Sequence, residues 1–285
     1  MTPQPSASAA PPRRRGLIAL VVVLAVVVLA AGGVAVWATV RGAAAAAVTL
    51  RDPVKREIAM ELVASAENST LAWYDRYDYI EDIGDERGYT GGLVGFTSGT
   101  HDMLMLVERY TEKAPDNRLA EFLPALRAVD GTDSHEGLGE AFEEAWRAEA
   151  AQPAFQRAQR DEVDRLYFEP AVGQALSDGL GVLGQFIYFD AMVMHGDSGF
   201  ASIRDAALRA QANPADGGDR VAYLHAFLDA RADEMRAEAA HEDTSRIDTA
   251  QRAFLDAGNL SLDPPLRWSV YGDPYEIESA PPSRW

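Results

Sequence analysis

From Asp52 onward, apolar residues recur at helical spacing. Ile58, Leu62, Val63 and Ala66 form a narrow stripe that predicts a first helix, with Glu67 on its edge. Leu71, Trp73, Tyr74, Tyr77 and Tyr79 follow at a spacing that predicts a short second helix with one aromatic side. Between Ile80 and Val94 the pattern changes. Gly84, Gly88, Gly91, Gly92 and Gly95 are too frequent for a helix, while Tyr89, Leu93, Val94 and Phe96 suit short strands, so the chain's one convincing β segment is expected here. Helical patterning resumes over 100–112, 118–128, 138–148 and 155–167, and Pro170 marks a break and a new helix start. A helix from Val172 to Met194, a loop at His195–Gly199 and helices over 203–212, 220–239 and 245–257 complete the pattern. The tail from Pro264 to Trp285, rich in proline and aromatic residues, is expected to wrap the surface without regular structure. The sum is a mainly α (α+β) chain: many helices, one small sheet early in the sequence, and a cleft between two helical lobes.

The first 47 residues read differently. Arg13, Arg14 and Arg15 precede an uncharged stretch from Gly16 to Val40, then Arg41 and an alanine run from Ala43 to Ala47. This is an export signal, either cleaved near the alanines or retained as a membrane anchor, since residues 16–40 are long enough to span a bilayer. Residues 48–285 then form the exported domain, extracellular or held at the outer face of the membrane. Cysteine is absent from the 285 residues, which excludes thiol catalysis, a cysteine-ligated metal and disulfide support, so the fold must rest on its apolar core. Of the 26 Lys and Arg, four lie in the leader, which has no acidic residue, leaving 22 against 44 Asp and Glu and a balance of −22. That charge argues against nucleic acid and for either a cationic partner or simple solubility. The five histidines show no HExxH or other metal spacing, and neither a phosphate loop nor a dinucleotide fingerprint is present, so no metal or cofactor is expected.

The sharpest chemical signal is a pair of carboxylates in unlike settings. Glu67 stands at the end of an apolar helix, and Asp85 lies in a glycine-rich turn, with aromatic residues between them. A carboxyl beside apolar surface tends to keep its proton and one in a solvated loop to lose it, the division of labour that glycoside hydrolysis requires. Either carboxylate, taken alone, also fits a solvated surface residue. Their offset of 18 positions allows two sides of a cleft but does not fix the distance that separates inverting from retaining chemistry.

The segments AMELVASAENS, YIEDIGDERGYTGG, VGFTSGTHDML, VMHG, AFLDAR, AAHEDTSR and PPLRWSVYGDPY, in this order between about Asp52 and Glu278, resemble the bacterial chitosanases of glycoside hydrolase family 46. The resemblance implies a lysozyme-like fold of two helical lobes with a small sheet in the minor one. It also implies endo-acting, inverting hydrolysis of β-1,4 bonds in chitosan by a monomer without cofactor. Carried over residue by residue, Glu67 is the general acid, Asp85 the general base and Thr90 the residue that helps hold the water. Asp190, Arg231 and Arg246 match a buried charge network that tunes the acid. Ser69, Tyr79, Arg87, Asp102, Glu238 and Glu242 match sugar-contacting positions, where the acidic members would meet glucosamine ammonium groups. Two other readings compete: a lysozyme-like peptidoglycan hydrolase, which gains nothing from acidic subsites, and a non-catalytic acidic module that binds polycations by charge.

Overall fold

The computed structural model describes residues 48–237 and 243–285. The leader, with its expected signal or anchor, and the candidate sugar-contacting residues Glu238 and Glu242 lie outside the described residues. Residues 48–285 make one compact unit.

Helix α1 runs Pro53–Glu67. Asp52 caps it by accepting from the backbone N–H groups of Val54 at 3.0 Å and Lys55 at 3.2 Å, and Pro53 supplies a first-turn residue that needs no partner for a missing N–H. The expected narrow apolar stripe is not what forms. From Ile58 to Ala66 every residue of α1 is buried, Glu61 and Ser65 included, so the helix threads the core instead of lying on it.

The aromatic run after α1 is not a helix but a single 3-10 turn, Trp73–Asp75. Tight backbone turns use the carbonyls of Leu71, Ala72, Trp73 and Arg76, and the carbonyl of Tyr77 receives the indole N–H of Trp146 at 3.1 Å and the amide of Gln159 at 2.9 Å. The aromatic spacing instead reflects packing around the fully buried Trp73, which meets Tyr74 and Tyr77 edge-on.

The sheet appears where the glycine-rich pattern placed it. Strands β1 (Ile80–Asp82), β2 (Tyr89–Gly91) and β3 (Phe96–Thr97) pair antiparallel in that order, with Glu81 opposite Thr90 and Gly91 opposite Phe96. Gly91 permits the close pairing with β1, because a Cβ there would lie 3.0 Å from the carbonyl oxygen of Tyr79.

Beyond the sheet come α2 (Asp102–Lys113), α3 (Leu123–Val129), α4 (Gly139–Ala150) and α5 (Pro153–Val163), with α2 packed on α5 and α4 on β1. A π-helical turn, Asp164–Phe168, joins α5 to α6 (Glu169–Ser177), and Pro170 does sit in the first turn of a new helix. The expected continuous helix from Val172 to Met194 is interrupted at Asp178–Gly181. There the Asp178 carboxylate receives Arg204 at 2.7 Å and Tyr188 at 2.8 Å, and Gly179 adopts a positive φ of 78°. Helix α7 (Val182–Ala210) then kinks at Gly196, with φ 65° and ψ −176°, so the break expected at His195–Gly199 is there as a sharp bend between two helical halves and not as an extended loop. Its residues Val182 to Met192 are all buried, which makes it the central helix, packed by α6 and by α8 (Arg220–Ala237).

A second π-helical segment, Arg246–Gln251, leads into α9 (Arg252–Asp256). The tail departs most from expectation. Strands β4 (Leu266–Val270) and β5 (Asp273–Ile277) form an antiparallel hairpin, with Trp268 opposite Tyr275. Leu266, Trp268 and Val270 are buried while the residues between them face outward, a strand alternation that the flanking prolines obscured in the sequence. The end of α1, the kinked middle of α7, the sheet, the second π segment and this hairpin all contribute to one cleft.

Candidate active site

Glu67 is the last residue of α1, where the helix leaves the core. A quarter of its side chain remains exposed, and it lines a cleft of about 700 Å³ together with Thr90, Asp102, Arg246 and Tyr271. Its Oε1 lies 2.8 Å from Nη2 of Arg246, and the same nitrogen lies 2.7 Å from Oδ1 of Asp190. Oδ2 of Asp190 receives Arg231 Nη1 at 2.7 Å and the Gln251 amide at 2.6 Å. The three residues expected as a charge network are thus one connected chain, Glu67–Arg246–Asp190–Arg231.

Its charged members other than Glu67 are almost entirely buried, Arg231 at 0 % exposure and Asp190 at 2 %. Burial alone would push the Asp190 carboxyl up, but the two guanidiniums outweigh it and hold the group far below the usual carboxylate range. Burial would likewise lower Arg246, yet Asp190 and Glu67 hold it above its ordinary value. For Arg231 burial wins, and the group lies below its ordinary value.

Two participants were not read from the sequence. Gln251 joins Asp190 to Arg231, accepting from Arg231 Nη1 at 3.2 Å, and His195 Nε2 accepts from Arg231 Nε at 3.3 Å, tying the network to the cleft wall. The π-helical turn explains Gln251. In an i→i+5 winding, residues five apart come to one side, so Arg246 and Gln251 both reach Asp190, which ordinary helical spacing would not suggest.

Asp85 is held by its own loop. It lies between β1 and β2 in a turn where Gly84, Glu86 and Gly88 all take positive φ. Asp82 Oδ1 accepts from the Gly84 N–H at 2.8 Å, and Asp85 Oδ1 accepts from the Arg87 N–H at 3.1 Å, so two side-chain turns shape the tip. Arg87 then clamps Asp85 Oδ2 with Nε at 2.8 Å and Nη2 at 2.5 Å. Arg87, expected to meet sugar, therefore positions Asp85 first, and its exposed face lines the cleft. Thr90 stands on the central strand, 7 % exposed, and its hydroxyl makes no hydrogen bond to any described residue.

Asp102 opens α2 and lines the cleft, but its acceptors are engaged within the protein. Oδ1 accepts from the N–H groups of Thr97 and Met103, both at 2.9 Å, and from the Thr100 hydroxyl at 3.1 Å, while Oδ2 accepts from Tyr167 at 2.8 Å. Burial nevertheless pushes the Asp102 carboxyl up against these bonds. Tyr79 lines the cleft. Ser69 is exposed just past the end of α1 at φ 51°, and its neighbour Asn68 takes the place on the cleft wall. Among the described residues, no group of three or more His, Asp or Glu is placed to hold a metal ion, and no helix is long and apolar enough to cross a membrane.

Residues 61–266 match the sequence pattern of glycosyl hydrolase family 46, a span that includes every described member of the charge network and both candidate catalytic carboxylates. The chain is 59 % identical to a chitosanase of Streptomyces sp. (strain N174) over 234 residues, covering 81 % of this chain and 84 % of that one. Over 238 residues it is 56 % identical to a chitosanase of Nocardioides sp. (strain N106), covering 82 % and 85 % of the two chains. The co-crystal structure of chitosanase OU01 with substrate superposes with a TM-score of 0.80 at 54 % identity, over 81 % of this chain and all of that one. The mainly helical architecture with its small sheet is accordingly the lysozyme-like fold of these enzymes. A match that spans helices, sheet and charge network alike leaves one assignment: the chain belongs to glycosyl hydrolase family 46.

Proposed function

We propose that the protein hydrolyses the β-1,4 bonds of chitosan internally and with inversion, Glu67 acting as general acid and Asp85 as general base. The observation that carries this reading is the contrast between the two carboxylates: Glu67 ends a buried helix on a buried ion network, and Asp85 sits in a polar turn clamped by Arg87. Glu67 gives its proton to the glycosidic oxygen. The carboxylate left behind is stabilised by Arg246 at 2.8 Å, whose Nη2 also binds Asp190 at 2.7 Å. Asp85 takes a proton from the attacking water, and the otherwise uncommitted Thr90 hydroxyl orients that water.

The balance of −22 beyond the leader suits a polycationic substrate. The leader supports action outside the cytoplasmic membrane, with the enzyme released or anchored. Sizing products from fully deacetylated chitosan, partly acetylated chitosan, chitin and peptidoglycan tests the assignment. Rapid internal shortening of the deacetylated polymer is expected. Shortening of peptidoglycan alone would favour the muramidase-like reading, and binding of chitosan without cleavage would favour the polycation-binding module.

A further inference from the structure

The hairpin that the tail forms ends in a feature that turn chemistry alone does not explain. Val270 pairs with Asp273, so only Tyr271 and Gly272 connect β4 and β5, and they take φ of 54° and 89°. A two-residue loop with both φ positive is the tight hairpin turn that favours Asn, Asp or Gly at its first position, because a Cβ with a bulky substituent is costly there. The chain places a tyrosine in that position. The backbone is nonetheless pinned: the Tyr271 N–H donates to Ser245 Oγ at 2.8 Å, and Thr249 Oγ1 donates to the carbonyl of Ser269.

The side chain projects into the cleft. It is 48 % exposed, one of few large apolar side chains so placed among the described residues, and it lines the same cavity as Glu67 and Arg246. Burial raises its phenol, with Arg246 opposing and Glu67 adding to the rise, which agrees with a position beside the network. A strained conformation maintained by hydrogen bonds at a cleft is where a side chain has a task of its own.

We propose that the ring of Tyr271 is a stacking platform for a glucosamine unit of chitosan adjoining the bond that Glu67 protonates, a specificity-determining contact on the acid's side of the cleft. An all-equatorial sugar ring offers an apolar C–H face to an aromatic plane, and the ammonium group adds attraction to the ring's electron-rich face. The inference rests on the chitosan-hydrolase reading above.

The test compares Tyr271→Phe, Tyr271→Asn and Tyr271→Gly in the full chain. It measures binding of the glucosamine hexamer as well as KM and kcat for its cleavage, with thermal melting alongside. Asn and Gly tolerate the turn's backbone, so they remove the ring without adding strain. The expected result is hexamer affinity preserved within about twofold by Phe, and weakened roughly tenfold by both Asn and Gly, at melting temperatures no lower than the parent's. Unchanged affinity and KM in Asn and Gly would overturn the proposal. So would an equal loss in Phe, which would assign the contact to the hydroxyl. If Glu67→Gln retained turnover while the Asn and Gly variants still lost affinity, the acid assignment would fail and the platform would stand.

Discussion

Glu67 and Asp85 are positioned by opposite means. Glu67 belongs to the helical core: α1 is buried along most of its length, and its terminal carboxylate meets Arg246, which shares a buried chain of charges with Asp190 and Arg231. Asp85 belongs to a six-residue hairpin tip between β1 and β2, shaped by glycines and side-chain turns and clamped by one partly exposed arginine. In the first region catalytic geometry and fold stability rest on the same residues. In the second they separate, because the loop's interactions are local and near solvent, where an ion pair contributes little to global stability. The protein therefore has one carboxylate whose surroundings cannot change without cost to the fold and one whose surroundings can.

The largest expected effect breaks both regions at the chemistry itself. Glu67→Gln preserves shape but has no carboxylic acid proton to donate, and Asp85→Asn cannot accept the water's proton. Each should lose about 10²- to 10⁴-fold in turnover with hexamer binding nearly unchanged, checked by initial rates beside calorimetric binding. A variant that kept most of its turnover would show that another residue performs the assigned step.

The next effect separates the regions. Arg246→Ala leaves Asp190 with one guanidinium in a fully buried site, so unfolding by denaturant should show a loss of roughly 3 to 5 kcal/mol together with reduced activity. Arg87→Ala should also reduce activity, since Asp85 loses its clamp, but with a stability change of no more than about 1 kcal/mol. Equal destabilisation by the two would remove the distinction.

The smallest effect sharpens what the network does for a buried carboxylate. Glu61, two turns earlier on α1 and 8 % exposed, forms no ion pair with any described residue. Burial and the neighbouring Glu57 push its carboxyl from 4.5 up to about 7, against a weaker lowering by Arg284, whereas the more deeply buried Asp190 is driven down. Glu61 therefore contributes stability below pH 4.5 that is lost as pH rises through about 7. Glu61→Gln should match the parent at pH 4 and exceed it at pH 8, by at most roughly 3 kcal/mol in denaturant unfolding. Asp190 has the opposite sign: its contribution is present above the unfolded carboxylate range near pH 4 and is lost on acidification.

The sequence carried the helix-ending glutamate, the glycine-rich sheet and the charged residues of the network, because each leaves a local mark: an apolar run that stops, glycines at turn spacing, motifs of fixed order. What it hid was set at long range. The aromatic run from Leu71 to Tyr79 has helical spacing, but its Tyr77 carbonyl accepts from Trp146 and Gln159. The break at Asp178 needs Arg204 and Tyr188 from α7. Gln251 enters the network only through a π-helical winding, and Tyr271 reaches the cleft only because the proline-flanked tail forms a hairpin. The engagement of Asp102 by four protein donors likewise depends on Tyr167, 65 positions away.

The central claim, an acid and a base that together drive a single displacement by water, is tested most directly by following the anomeric proton signals during cleavage of the glucosamine hexamer. The account predicts that the α-anomer of the new reducing end appears first and converts to the β-anomer only by slow mutarotation. A β-anomer as first product would mean that a carboxylate attacks the sugar itself, and would contradict the role given to Asp85 and Thr90.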